Sequence, residues 1–303
     1  VSYNKRTDLL FFVISITYFL LSLPIAVTVK NHFVGNEIQK VERVVINNVA
    51  LVRSNFEASI FMDTFLADSL ATLVTIDPDI AFKKWDIVAQ QLLSKSQNVR
   101  NVAASPNNII RYIYPLEENK SALGIDLSEI PSQNKAIQLA KQFGHVYLDG
   151  PVELVQGGRG IIARYPIYAD YPHNKTYWGT VSVVIDFDKL LKSSGVYDLP
   201  ASDVAIRNVT GKEELIHGDS KTFDNPTTLQ VINVPYGKWQ IAAKFDIGES
   251  AHIAFIEQTI IAVLTVATAL IYLLIFLIYR NYKTIHIAAM QDELTQLPNR
   301  RYM

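Results

Sequence analysis

Apolar positions in this chain follow three rhythms, and each predicts a different element. At the two ends they form unbroken runs. "LLFFVISITYFLLSLPIAVTV" fills residues 9–29 and "TIIAVLTVATALIYLLIFLIY" fills residues 259–279. Neither carries a charge, and each is long enough as a helix to cross roughly 30 Å of hydrocarbon. Lys5 and Arg6 precede the first run; Arg280 and Lys283 follow the second. Basic flanks mark cytoplasmic ends. Residues 1–8 and everything after residue 279 are therefore predicted inside the cell, and residues 30–255 outside it. The first run exceeds a signal-peptide core and ends on no small-x-small cleavage site, so it is predicted to remain as an anchor. Pro24 predicts a kink near its outer end.

The second rhythm is helical. From Phe33 to Ile76 there is no proline and one glycine, Gly35. Apolar residues recur at Val34, Ile38, Val41, Val45, Val49, Val52, Phe56 and Ile60, in steps of three and four nearer an eleven-residue repeat than a heptad. A second row, Phe61, Phe65, Leu66, Leu70, Leu73 and Val74, widens the stripe. This predicts a stalk helix over residues 33–76, narrow enough at one end to pair with a second copy and broad enough at the other to pack on a globular body. "TIDPD" stops it.

The third rhythm is that of strands. An amphipathic helix is predicted over residues 82–93, then a strand at "NIIRYIYPL" and a helix at "PSQNKAIQLAKQFG" stopped by Gly144. "HVYLDGPVELV" and "RGIIARYPIYA" read as two strands joined at "QGG", and "YWGTVSVVIDF" as another, followed by a short helix at residues 187–193. "SDVAIRNV", "TTLQVINVPYG" and "KWQIAAKF" complete a second set. The connections are mostly too short for crossovers, so the pairing is expected to be antiparallel. The predicted fold class is α+β: two membrane helices flank an external domain of a stalk and two modules, at residues 82–170 far from the membrane and 176–246 nearer it.

Residues 119–126, with Asn-x-x-Ala-Leu-Gly-x-Asp, the helix carrying Ala136 and Ala140, "GPVELVQGG" at 150–158 and "RYPIY" at 164–168 together resemble the CHASE sensor domain. The resemblance implies an extracytoplasmic input domain with two PAS-like modules on a stalk, the distal one holding a small ligand. It places Asp149 near a polar ligand contact at a strand end, and Glu117 near a second. A small-ligand site needs an apolar lining with a few convergent polar groups. On that ground Tyr112, Tyr114, Glu117, Asp149 and Arg164 are the candidate ligand contacts.

Composition narrows the alternatives. The chain has 303 residues, a formal charge of −1, 19% charged residues and no cysteine. No disulfide, thiolate metal site or catalytic thiol is available. His145, His173, His217 and His252 show no metal-ligand spacing, and no serine sits in a G-x-S-x-G setting. "QGGRG" lacks the lysine and helix of a phosphate loop. No DNA-binding signal is present. No cofactor or metal is expected in the chain itself.

"DELTQLPNRR" at residues 292–301 resembles the opening of the GGDEF domain, with Asp292, Leu294, Thr295, Leu297, Pro298, Asn299, Arg300 and Arg301 in register. The resemblance implies a diguanylate cyclase output that joins two GTP molecules into cyclic di-GMP with Mg²⁺, its catalytic residues lying past Met303. A histidine kinase would show a His-Glu-Leu-Arg-Thr-Pro-Leu type box, which these residues lack. A degenerate GGDEF domain, or a following EAL phosphodiesterase, is the alternative output. Residues 280–291 read as a linker helix, with Ile285, Ala288 and Ala289 as a dimer seam. The expected partners are a membrane, a small ligand and a second copy of the chain; the expected location is the bacterial inner membrane with a periplasmic sensor.

Overall fold

The computed structural model describes residues 2–154, 157–200, 203–210, 213–245 and 251–290, with side chains described from Arg6 to His286 within those spans. The chain divides into two compact units, residues 1–41 with 246–303, and residues 42–245.

The first unit contains the beginning of helix α1 (Ser2–Ile76) and helix α6 (Ala251–Met290). Both are long and apolar enough to cross a membrane, and no residue in the most apolar stretch of either is buried. Hydrocarbon side chains left in the open on this scale imply an apolar solvent. The two helices touch along their length. The Tyr18 hydroxyl donates to the Thr268 carbonyl at 2.7 Å, and Phe11 stacks on Tyr279 at 4.2 Å between ring centroids. Polar pairs close both ends, Lys30 with Glu257 at 3.0 Å and Lys283 with Asp8 at 2.9 Å. The predicted start of the GGDEF domain, residues 292–303, lies outside the described residues.

The second unit is built on the rest of α1. Val45, Val49, Val52, Phe56 and Ile60 are buried, as a three-four repeat on one helix face requires. Leu66, Leu70 and Val74 continue that face, but Phe61 and Phe65 do not. They are 50% and 62% exposed, because they fall on the opposite side of the helix. The expected widening of the stripe therefore comes from Leu66, Ala67, Leu70 and Ala71.

Short helices α2 (Pro78–Lys83) and α3 (Trp85–Leu93) follow, with Asp77 capping α2 by accepting from the Ile80 amide. Then come strands β1 (Val99–Pro106) and β2 (Tyr112–Tyr114), helix α4 (Pro131–Phe143), strands β3 (Tyr147–Glu153), β4 (Arg159–Tyr168) and β5 (Tyr177–Asp186), and helix α5 (Phe187–Ser193). Strands β6 (Asp203–Asn208), β7 (Glu214–His217), β8 (Thr228–Val234) and β9 (Gly237–Lys244) end the unit. They form two antiparallel sheets, ordered β2-β1-β5-β4-β3 and β7-β6-β9-β8.

Strand β5 lies in the middle of the first sheet, between β1 and β4. The division between modules thus falls after residue 186, and the boundary expected between residues 170 and 176 is displaced. The short β4–β5 connection makes the two strands hairpin neighbours, and β5 is buried on both faces, as a central strand must be. One face of each sheet joins a single core with α1: Val102, Ile161, Val181 and Val183 from the first, Ile206, Ile232, Trp239 and Ile241 from the second. Each fully buried side chain of this kind stabilises by about 1.5–3 kcal/mol.

Candidate functional site

The outer face of the first sheet is where polar groups are buried. Register fixes which side chains share it. Arg164 pairs with Tyr147 on one side and with Ser182 on the other, and Ser182 pairs with Ala103. One step along, Ile162 lies between Asp149 and Val184; one step the other way, Thr180 pairs with Ser105. Alternation sends all of these away from the core.

Helix α4 and the segment 107–130 cover this face and leave between them and the sheet a partly open cavity of about 180 Å³. Its walls are mostly apolar, from Ile110, Ile113, Ile125, Leu127, Ile162 and Val184. Its polar groups are few: Arg164, Ser105, Ser182, Asn101, Ser132 and Gln133 from the first turn of α4, and the exposed Glu153. An apolar chamber with a few directed polar groups is the usual form of a small-molecule site. The volume is below the roughly 300–1,000 Å³ of drug-sized sites, so only a small ligand fits this arrangement.

The polar groups are incompletely satisfied. Arg164 is 2% exposed. One terminal nitrogen, Nη2, donates to Oε1 of Gln133, while Nε has no partner. The hydroxyls of Ser105, Thr180 and Ser182 are also buried without partners. Asn101, by contrast, is satisfied: its Nδ2 donates to Asn119 Oδ1 at 3.0 Å, and Asn119 in turn donates to the Pro115 carbonyl at 2.7 Å. Orphaned buried donors cost on the order of 1–3 kcal/mol each, and more when charged.

Burial lowers the Arg164 pKa to about 10, against the opposing field of Asp149, so the guanidinium still carries its charge at neutral pH. Burial raises the Asp149 carboxyl above the usual carboxylate range, and the charges of Arg164 and Lys135 only partly offset it. Asp149 Oδ2 is buried without a partner, and the residue shares the sheet face with Arg164 but stands outside the cavity wall. Next to it Gly150 adopts φ of +114° in a bulge, where an added Cβ would come within 2.7 Å of the Gly160 carbonyl oxygen. Only glycine lets β3 make that turn.

The other expected contacts lie elsewhere. Tyr112 faces the opposite side of the sheet, stacked on Phe82 at 4.3 Å and beside Trp85. Tyr114 packs against the main core. Glu117 is in a short 3-10 turn, exposed and paired with Lys120 at 2.7 Å. Of the five candidates, the structure brings Arg164 to the cavity and Asp149 beside it. Asp292, Leu294, Thr295, Leu297, Asn299 and Arg300 lie outside the described residues. Ser105, Ser182 and Gln133 were not expected. The sequence signal for the serines was a period-two row of small polar residues inside apolar strands, Thr180 and Ser182 in one and Ser105 in the other.

A family model described as the CHASE domain matches residues 58–216, more than half of the chain. No curated protein matches. Among solved structures, the chain is similar to the ligand-binding domain of the Pseudomonas aeruginosa PAO1 amino acid chemoreceptor PctB in complex with L-Arg. That similarity has 14% identity and a TM-score of 0.51, over 76% of this chain and 98% of that one. It also matches an extracellular ligand binding receptor from Desulfohalobium retbaense DSM5692 at 15% identity and TM-score 0.49, covering 65% of this chain and 39% of the receptor chain. The ligand-binding domain of the Campylobacter jejuni chemoreceptor Tlp3 in complex with L-valine matches at 11% identity and TM-score 0.45, over 74% and 96%. At 14% identity the likeness to the PctB domain is one of fold.

Proposed function

Because the chain belongs to the CHASE-domain family, we propose that it is a transmembrane receptor whose external domain binds a small molecule in the first-sheet cavity and thereby sets the synthesis of cyclic di-GMP inside the cell. The observation that carries this reading is the recessed, largely apolar cavity with a charged, incompletely bonded Arg164 on its floor. Buried charge without a counter-ion is expensive, and a binding site is one of the few settings in which a fold retains it.

The rest of the reading follows from the two membrane helices and the residues after them. Basic flanks favour cytoplasmic termini in a bacterial inner membrane. The Asp292–Arg301 match favours a GGDEF output, which would use GTP and Mg²⁺. Each such domain holds one GTP, so two must face each other, and catalysis rests on positioning. A second copy of the chain is therefore required. The exposed apolar residues Leu51, Met62 and Phe65 along α1 favour the stalk as one place where two copies meet. The ligand must bind one arrangement of the pair more tightly than the other to have any effect.

The test uses the full-length protein in cells carrying a cyclic di-GMP reporter. Removing residues 42–245 is expected to uncouple output from the medium, and blocking the cavity with Ala103→Phe to do the same with the domain intact. Unchanged, still-responsive output in both would overturn the receptor reading. A fall in cyclic di-GMP on expression of the unaltered protein would point instead to an EAL phosphodiesterase output, and no change to a degenerate GGDEF domain.

A further inference from the structure

The cavity's chemistry is more specific than its size. Its one buried cation, Arg164, forms no ion pair among the described residues. The acceptor it does have, Gln133 Oε1, is neutral and sits on the covering helix rather than on the sheet. Beside it across the strands lie two hydroxyls, Ser182 and Ser105, that are buried and have no partner. Three donors therefore converge on one end of the chamber. The rest of the lining, with Ile110, Ile113, Ile125 and Leu127, is largely hydrocarbon.

Helix α4 adds a second, independent bias of the same sign. It begins at the cavity, with Ile130, Ser132 and Gln133 in the lining, and its N-cap Ile130 provides no side-chain hydrogen bond. The partial positive charge of an uncapped thirteen-residue helix start favours an anion.

We propose that the cavity binds a small monocarboxylate with a short apolar body: the carboxylate accepts from the Arg164 guanidinium and from the Ser105 and Ser182 hydroxyls, and the hydrocarbon lies against the isoleucine wall. This rests on the reading of the cavity as the sensor site. The planar guanidinium fork matches a carboxylate, and charge-assisted bonds of this kind are about twice as strong as neutral ones. A phosphate or a dicarboxylate would bring a second negative charge to a chamber with one buried cation. An amino acid would bring an ammonium with no fixed partner. The one carboxylate in the wall, Glu153, is exposed, and Asp149 stands outside the lining. In the present arrangement Gln133 occupies Arg164, so a bound carboxylate would compete with a residue of α4 for the guanidinium. Ligand arrival is thereby tied to the position of the helix that closes the chamber.

The test is direct binding to the full-length protein in lipid nanodiscs, read by calorimetry and by thermal shift. The probes are acetate, butyrate, isovalerate and benzoate, with isovaleramide, isoamylamine and L-valine as neutral, cationic and zwitterionic counterparts. The expected result is that at least one carboxylate binds, and that isovaleramide and isoamylamine bind at least 100-fold more weakly than isovalerate. Arg164→Gln is expected to lose that binding while its own unfolding midpoint stays within a few degrees of wild type. Failure of every carboxylate, amide binding equal to acid binding, L-valine binding tighter than isovalerate, or unchanged isovalerate affinity in Arg164→Gln would each overturn the proposal. The receptor reading fails separately. If Ala103→Phe leaves cellular output and its response to medium unchanged, the cavity is not the sensor site, whatever it binds.

Discussion

The two sheets of the external domain each carry an arginine on the strand next to one edge, and the two arginines have opposite fates. Arg207, on β6 of the second sheet, is fully engaged by its own protein. Its Nε donates to Gln240 at 2.9 Å, Nη1 donates to Glu213 at 2.9 Å, and the guanidinium lies 4.3 Å over the Phe223 ring. Arg164, on β4 of the first sheet, has one neutral acceptor and an orphaned Nε. The same contrast holds for the sheets as wholes. Five of the buried, unpartnered polar side chains among the described residues belong to the first sheet, and none to the second. Two sheets of similar architecture thus divide the work: one is closed and structural, the other leaves polar groups facing a chamber. The difference locates the site better than the fold does, since a fold by itself does not specify a function.

The comparison breaks most severely if the shared core is removed. Phe56 is fully buried on α1, 5.9 Å from the Trp239 ring of the second sheet. Phe56→Ala should cost about 3–5 kcal/mol and lower the unfolding midpoint of the whole domain in a calorimetric scan. A more local break is Gly179→Ala. Gly179 has φ of +154°, and an added Cβ would lie 2.2 Å from the Ser105 carbonyl oxygen. That clash forces β5 from β1 beside the cavity. A loss on the order of 2–4 kcal/mol is expected, with binding reduced even at temperatures where the protein remains folded.

A buried acid on α1 sharpens the contrast through pH. Asp63 is 2% exposed and accepts from Asn98 Nδ2 at 3.4 Å at the end of the first sheet, where Ser193 donates to Asn98 Oδ1 at 2.8 Å. Burial raises its pKa above 3.8, with hydrogen bonds from Ser96 and Asn98 pulling the other way. The unfolded chain therefore gives up this proton first as pH rises. The stability of the neutral carboxyl is complete below about pH 3.8 and is lost as pH climbs through the folded value. Asp63→Asn should remove this contribution, so the fall in unfolding midpoint between pH 4 and pH 7 should be smaller than in wild type. Its counterpart under the second sheet, Glu57, is half-buried and accepts from the Asn233 amide at 2.6 Å.

The elements were more legible than the site. Unbroken apolar runs and three-four repeats are strong, long-range signals, and they gave α1, α6, α4 and most strands. Strand β1 was missed. "VRNVAASP" holds two alanines, an asparagine and a proline, residues of low strand propensity, yet it lies between β2 and β5 and is buried almost throughout. Packing on both sides overrode local preference. The site was read through charge and aromaticity, which favoured Tyr112, Tyr114 and Glu117. What marks the cavity is the absence of partners for Ser105, Ser182 and Arg164. Whether a hydroxyl has a partner depends on residues far along the chain, and no local pattern records it. Arg164 was reachable because a charge in the middle of an apolar strand is conspicuous, whereas Gln133 was one of several polar residues on an amphipathic helix.

The smallest expected effects come from the two arginines themselves, and their difference is the sharpest test. Arg164→Met replaces a desolvated, half-bonded charge with an apolar side chain of similar reach. Such exchanges are commonly neutral or stabilising, so the unfolding midpoint should hold or rise while carboxylate binding is lost. Arg207→Met removes a pair in which Glu213 is largely exposed, worth less than about 1 kcal/mol. The midpoint should fall by a degree or two, and binding should not change. If instead Arg164→Met destabilised the domain and Arg207→Met abolished binding, the roles assigned to the two sheets would be reversed. If both lost only stability, Arg164 would be a structural residue like Arg207, and the orphaned nitrogen would mark strain within the sheet rather than a place for a ligand.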